Sequence, residues 1–403
     1  MNEQVQQLIG TIQRMHDRQE LMHRRLLALA NGHCVNLGGT RMLTETRAGL
    51  RMLIDGRDTG SGLEILHSGY IEPEVMAVLQ RAFVPGSVFL DVGANFGFYT
   101  LLAAQQMGSS GKVYSFEANP NLIPYLEGSI YINGLRDRVN LINKAVADTT
   151  GTARFGFSYA HIGGGSLMLG GGEGHGNEYV EVPLVPVDDE LPKDIVADVI
   201  KLDVEGHEAA ALRGMRQLIA RSPKVQIILE FFTGMQGQAG SETIIDLLEE
   251  MGLRYWRIGH RGRLEEVSRE QLIHGGDCYL VAAREKPFDA GLALEPTALR
   301  MVGRPTHDGM LTAEPGGVLV HGPYWYLPQG RYEVTVEGTI NGRMRAAATH
   351  EFGFELASGW IDSSNPTFTF DTNVDIRYFE VVLRAEDEKS AARIDRIIVR
   401  DVS

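Results

Sequence analysis

The spacing of apolar side chains changes character twice along the chain. Over residues 2–30 it follows a seven-residue pattern, with Val5, Ile12, Gln19 and Leu26 at one position and Leu8, Met15, Met22 and Leu29 at the other. A narrow stripe of this kind with charged flanks predicts a coiled-coil helix in which Gln19 sets the register, ended by Asn31-Gly32. A single amphipathic helix packed on its own chain produces the same stripe.

From about residue 60 to 285, short apolar runs alternate with helical patterns. VFLDV (88–92), KVYSFE (112–117), VNLINKAVA (139–147), DVIKLDV (198–204), VQIILEFF (225–232), RYWRIG (254–259) and CYLVAA (278–283) read as strands. Helices are expected at 98–107, 121–133, 207–220 and 242–251. Repeated strand–helix–strand units predict an α/β fold with a parallel sheet covered on both faces. Ligands of such sheets lie at the carboxyl ends of the strands, which singles out Asp91, Glu117, the 145–148 turn, Asp203 and Glu230. Beyond residue 292 the pattern turns to alternating segments such as GRYEVTVEGTI and YFEVVLRA, separated by Gly, Pro and Asn. This predicts an all-β sandwich or jelly roll. The chain divides accordingly into residues 1–32, 33–287 and 292–403.

Charge and cysteine content narrow the choices. With 403 residues and a formal charge of −14, the chain is not built mainly to hold nucleic acid or an anionic membrane. Cys34 and Cys278 are isolated, forming neither a disulfide framework nor a metal-ligand spacing. The start MNEQVQQLIG resembles no signal peptide, and no apolar run reaches membrane-spanning length, so a cytoplasmic location is expected.

FLDVGANFGFYT (89–100) lacks the G-x-G-x-x-G spacing of a dinucleotide turn, and Asp91 would face a diphosphate with like charge. S-adenosylmethionine fits better, offering a sulfonium, an ammonium and a ribose diol but no phosphate. Asp91 suits its amino-acid end, Gly93 leaves room for the nucleoside, and Glu117 suits the ribose hydroxyls.

PGSVFLDVGANFGFYTLLAA (85–104), VYSFEANP (113–120), NKAVAD (143–148), VIKLDVEGHEAAALRGM (199–215) and IILEFF (227–232) together resemble the FkbM-type class I methyltransferases. The resemblance spans roughly residues 50–285 and implies a Rossmann-like seven-stranded sheet and O-methyl transfer, very often to a sugar. Carried onto this chain, it implies cofactor contacts from Asp91, Gly93, Asn95, Phe98, Thr100, Glu117 and Ala118. Asn119 and the turn with Ala145 and Val146 fall near adenine. The segment HSGYIEPE (67–74), with Tyr70, closes over the methionine end, and Asp203 borders the cofactor as well.

Methyl transfer to a hydroxyl needs in-line placement and removal of a proton. Alternation aims Lys201 and Asp203 at the cleft mouth. Asp203 is the expected base; His207, with a reference pKa of about 6.5, is a second candidate. Alternatively, Asp203 and Glu230, with Glu205, hold a hard cation such as Mg²⁺. The glycine-rich run 161–177 is too rich in glycine to hold one conformation unaided, and is either an acceptor lid bearing His161, Ser166 or His175, or a disordered surface loop. Tyr324, Trp325, Tyr326, Trp360 and Tyr378 suit either a sugar platform or a packed core. The segment G-P-Y-x-x-L-P-x-G-x-Y looks like a module appended to bacterial enzymes of surface polysaccharides.

The expected activity is therefore S-adenosylmethionine-dependent O-methylation of a carbohydrate, a cell-surface glycan or nucleotide sugar, by a homo-oligomer joined through its N-terminal helix. Methylation of a polyketide, lipid or other hydroxylated metabolite is the alternative within enzymes. A noncatalytic glycan-binding protein on the same fold is the alternative outside them.

Overall fold

The computed structural model describes residues 34–167, 178–287, 292–294, 300–327, 329–350, 354–373 and 376–402. The expected coiled coil lies outside these residues, as do residues 168–177 of the glycine-rich run.

The central sheet is built from β1 (Val88–Val92), β2 (Lys112–Phe116), β3 (Val139–Ile142), β4 (Val199–Leu202), β5 (Gln226–Phe231), β6 (Arg254–Ile258), β7 (Leu264–Glu266) and β8 (Cys278–Ala283). Their order is β7-β6-β8-β5-β4-β1-β2-β3. Strands β3 through β5 run parallel, while β8 opposes both β5 and β6. The sheet has eight strands where seven are expected, because β7 pairs antiparallel to the outside of β6. Side-chain alternation divides the apolar residues between two faces. Phe89, Val199 and Ile228 join one buried cluster, and their neighbours Leu90, Ile200 and Ile227 join another. Burial on both faces explains why these strands read as continuous apolar runs.

The chain proceeds outward from β1 to β3, then returns to the other side of β1 with β4. The reversal opens a crevice at the carboxyl ends of β1 and β4. Between the two halves the chain builds a smaller sheet that the sequence pattern does not announce. It orders Ala145–Val146, Glu178–Val185, Gly151–Ser158 and His161–Leu167 side by side. The run expected as one strand over 139–147 is thus broken in two, at the point where Asn143 Nδ2 donates to the carbonyls of Glu117 (2.8 Å) and Ala118 (3.2 Å). A meander of Cys34–Gly38, Arg41–Glu45 and Arg51–Asp55 precedes the sheet.

Two helices also depart from expectation. The helix expected over 207–220 is two, Glu208–Gly214 and Arg216–Arg221. Asp188, from another segment, accepts from the amides of Gln217 (2.8 Å) and Leu218 (2.7 Å) and so caps the second one separately. The helix expected from 242 begins after Gly237, whose non-helical backbone (φ 65°, ψ 171°), a conformation open to glycine, separates it from a short helical turn starting at Thr233.

Residues 161–167 form a strand, contrary to the expectation that so many glycines leave the segment without fixed structure. A Cβ on Gly163 would fall 2.1 Å from Asn95, on Gly164 2.1 Å from His161, and on Gly165 2.4 Å from Phe155. The glycines are there because neighbouring side chains occupy the space. Asp58 ties this strand to the loop before helix Ser61–Ser68, accepting from the amides of Gly60 (2.9 Å), Gly62 (2.9 Å) and Ile162 (2.8 Å). Asp58→Ala leaves those amides without their acceptor and is expected to lower stability by about 2–4 kcal/mol. Urea denaturation measures it, and an unchanged midpoint would mean that Asp58 does not hold this wall.

Described residues after 292 contribute strands alone, in two six-stranded antiparallel sheets. Both sheets feed one apolar cluster, in which Val334 and Ile397 meet Ala346 and Val381. Trp360 remains exposed, with the Arg343 guanidinium 4.6 Å from its ring centre. The side chains of Tyr324, Trp325, Tyr326 and Tyr378 are outside the described set. No helix among the described residues is long and apolar enough to cross a membrane.

Candidate active site

The crevice at the strand ends holds a cavity of about 600 Å³. Gly93, Asn95, Glu117, Ala118, Ala145, Val146, Asp203, Glu205 and Glu230 line it, as the strand-end rule anticipates. Phe98 and Lys201 border a smaller adjoining space instead. Among the described residues, the non-glycine residues with left-handed backbone are Glu72 (φ 45°), Asn95 (φ 53°) and Glu205 (φ 52°), and all of them line this one cavity. Left-handed backbone is unfavourable for a residue with a Cβ, and such strain collects where function demands a particular shape.

At the β1–β2 side, Asp91 is buried and accepts from Thr100 Oγ1 (2.6 Å), which also meets Ser115 Oγ. Burial raises its pKa to about 6, against the opposing pull of Lys201 and Thr100. Glu117 receives the amide of Asn95 on Oε2 (2.7 Å) and that of Asn119 on Oε1 (2.7 Å). Those bonds orient the carboxyl, and burial still raises its pKa to about 7. The left-handed turn at Asn95 directs its amide at Glu117, while its side chain donates to Ser61 Oγ (2.9 Å). Gly93 has another reason than ligand access. A Cβ there would lie 1.7 Å from the carbonyl oxygen of Asp203, so the glycine is set by the close approach of the turns after β1 and β4.

At the β4–β5 side, Lys201 Nζ lies 2.6 Å from Asp203 Oδ2. Burial disfavours the ammonium, but Asp203, Glu72 and Asp91 outweigh it and hold Lys201 charged, well above its ordinary pKa. Glu205 is raised to about 7, chiefly by burial, with repulsion from Asp203 and Glu208 added. Glu230 is pushed far above the usual carboxylate range by burial, then by the charges of Asp203 and Glu205. The last glutamate of KLDVEGHE (201–208), Glu208, serves the turn itself, accepting from the amides of Val204 and Gly206 (both 3.2 Å).

Some expected residues stand elsewhere. Tyr70 is buried beneath the Arg47 guanidinium, 5.5 Å from its ring centre, and is not part of the cavity wall. Thr100 acts on Asp91 from behind, and Asn119 is buried with Nδ2 on the Ile162 carbonyl (3.2 Å). His207 is also absent from the wall, with Nε2 2.9 Å from the Leu167 carbonyl and a pKa lowered by burial. A carbonyl only accepts, so that nitrogen carries a proton and is unavailable as a base. Among the described residues, no group of three or more His, Cys, Asp or Glu side chains is arranged to hold a metal ion. Asp203 and Glu230 fit Mg²⁺ poorly, because the Lys201 ammonium already occupies Asp203 Oδ2.

Other wall residues come from segments that sequence reading did not mark, or marked for another role. Glu72 accepts from Tyr99 Oη (2.9 Å) and Tyr279 Oη (2.9 Å). Glu64, Lys144, Phe155, His161, Phe232 and Met235 line the cavity as well. The positive φ of Glu72 just before Pro73 has no signature in composition, which is why only its neighbourhood, HSGYIEPE, drew notice.

Residues 91–255 match the family described as the Methyltransferase FkbM domain. Among solved structures, the methyltransferase FkbM from Methylobacillus flagellatus KT is 15% identical with a TM-score of 0.33, over 55% of this chain and 54% of that one. P. horikoshii TYW2 in complex with MeSAdo is 12% identical with a TM-score of 0.35, over 62% and 73%. The precorrin-6y C5,15-methyltransferase from Geobacter metallireducens GS-15 is 14% identical with a TM-score of 0.32, over 54% and 90%. No curated protein matches the chain.

Proposed function

We propose that this FkbM-type methyltransferase domain transfers a methyl group from S-adenosylmethionine to a hydroxyl of a sugar. The observation that carries the reading is the division of one cavity into two carboxylate groups. Glu117 stands at the end of β2, with Asp91 buried near the end of β1 and outside the lining, and Asp203, Glu205 and Glu230 line the ends of β4 and β5. The chemistry of the first group fits the cofactor: Glu117, oriented by two amides, keeps lone pairs for a ribose diol, and an acidic wall suits a cationic ligand better than a diphosphate. When bound, the cofactor supplies an electrophilic methyl on positively charged sulfur.

The chain's own residues do the rest. Asp203, paired with Lys201, takes the proton of the acceptor hydroxyl, and its backbone is fixed by a bond from its amide to the Val92 carbonyl (3.0 Å). The phosphates of a nucleotide sugar would have to stay outside so acidic a wall, which favours a glycan acceptor. Ile71, Phe155, Leu167, Phe232 and Met235 give the cavity apolar surface as well, and this supports the second reading, a hydroxylated metabolite with an apolar body. The heptad stripe of residues 5–29 supports assembly into a homo-oligomer, measurable by light scattering on the full chain.

Calorimetric titration with S-adenosylhomocysteine, with NAD as control, tests the cofactor. Binding of the former alone is expected, and Glu117→Ala is expected to weaken it about 10–100-fold. A folded sample that does not bind S-adenosylhomocysteine would sink the proposal. Release of S-adenosylhomocysteine from S-adenosylmethionine in the presence of glycans, against apolar hydroxylated compounds, then separates the two acceptor classes.

A further inference from the structure

The Tyr279 hydroxyl lies 2.9 Å from Glu72 Oε1 and 3.3 Å from Glu230 Oε1. A phenol has one proton, so it donates to one carboxylate, and the other contact requires a proton on the carboxyl side. Asp203 and Glu230 form a second pair of facing acids, in which two like charges would repel each other. Asp203 is the member paired with Lys201, at 2.6 Å. Glu72 already takes both tyrosine hydroxyls, from Tyr99 and Tyr279. The stored proton therefore belongs to Glu230.

Resting on the methyltransferase reading, we infer that Glu230 discriminates the charged methyl donor from its neutral product by giving up this proton when a cation enters the cavity. S-adenosylmethionine carries one positive charge more than S-adenosylhomocysteine. The groups facing Glu230 are Lys201 and Asp203 from β4 and its end, Glu205 from the following turn, Tyr279 from β8 and Glu72 from the start of helix Pro73–Ala82. Lys201 is committed to Asp203, so this wall holds an excess of acid that an added positive charge relieves. On binding the donor, the Glu230 carboxyl ionises and its proton passes to solvent. The product offers no such charge, and Glu230 keeps its proton.

The sign of the pH dependence follows from linkage. A ligand whose binding releases a proton binds more tightly as pH rises, until Glu230 is ionised in the free protein as well. Calorimetry of the full chain with S-adenosylmethionine and with S-adenosylhomocysteine, in buffers of different ionisation enthalpy at pH 7, counts the protons. The expected result is about one more proton released with the donor, and a donor-to-product affinity ratio that rises up to about tenfold per pH unit. Glu230→Gln is expected to abolish the difference while product binding persists. Tyr279→Phe, which keeps both carboxyls, is expected to retain the extra proton release.

Equal proton counts for the two ligands in the unmodified protein would overturn the inference without any variant. A difference that persists in Glu230→Gln would overturn it too. Failure of both ligands to bind would instead overturn the cofactor assignment on which it rests.

Discussion

Asp203→Asn is expected to lower methyl transfer about 10²–10⁴-fold while S-adenosylhomocysteine still binds, the size typical for loss of a positioned base. Asparagine keeps the shape of the side chain and an oxygen that can accept from Lys201, so the buried ammonium is not stranded; Glu72 and Asp91 remain close to it. What disappears is the basic oxygen at the cavity and one negative charge. Glu205 and Glu230 are both raised in part by Asp203, so their pKa values should fall in the variant. Single-turnover rates and product affinity separate this result from unfolding. Undiminished transfer by a folded Asp203→Asn protein would remove Asp203 from the chemistry and leave Glu205 as the nearest candidate base.

Alanine in place of Gly93 should destabilise the protein by about 3 kcal/mol or more, since strain and overpacking act together there. The backbone stands at φ 92°, and the added methyl would fall 1.7 Å from the Asp203 carbonyl oxygen. That oxygen is backbone and cannot swing aside as a flexible side chain can. Relief has to come from spreading β1 and β4, which displaces Asp203 and Asn95 together, so affinity for S-adenosylhomocysteine should fall with stability. Gly151→Ala is the matched control, because a Cβ there meets nothing within 4 Å. It should change stability by less than about 0.5 kcal/mol. Equal urea midpoints for the two variants would refute the close approach of the turns.

Much of the central sheet was legible because burial on both faces writes strands as unbroken apolar runs. CYLVAA coincides with β8, and VFLDV with β1. The smaller sheets were not legible: Ala145–Val146 is too short to show a period, and His161–Leu167 carries glycines whose reason lies in Asn95, His161 and Phe155. The strand-end rule brought Glu117, Asp203 and Glu230 to one crevice because it depends only on topology, whereas Asp91 is buried outside the lining. It could not find Glu72, Phe232 or Met235, which arrive from a preceding loop and from the segment after β5. Nor could it tell that Asn119 and Thr100 support the wall from behind, since a residue type does not reveal which of its neighbours are ligand and which are protein.

The run Gly163–Gly165 also governs how such a protein can diversify. Added methyls at Gly163 and Gly165 collide with Asn95 and Phe155, so the wall resists single substitutions there. Phe232 and Met235 stand on the same cavity but are only partly covered, with Met235 38% exposed. New acceptor preferences can therefore accumulate at these two positions with little loss of fold. The glycine wall makes one side of the cavity conservative and leaves the other free to evolve.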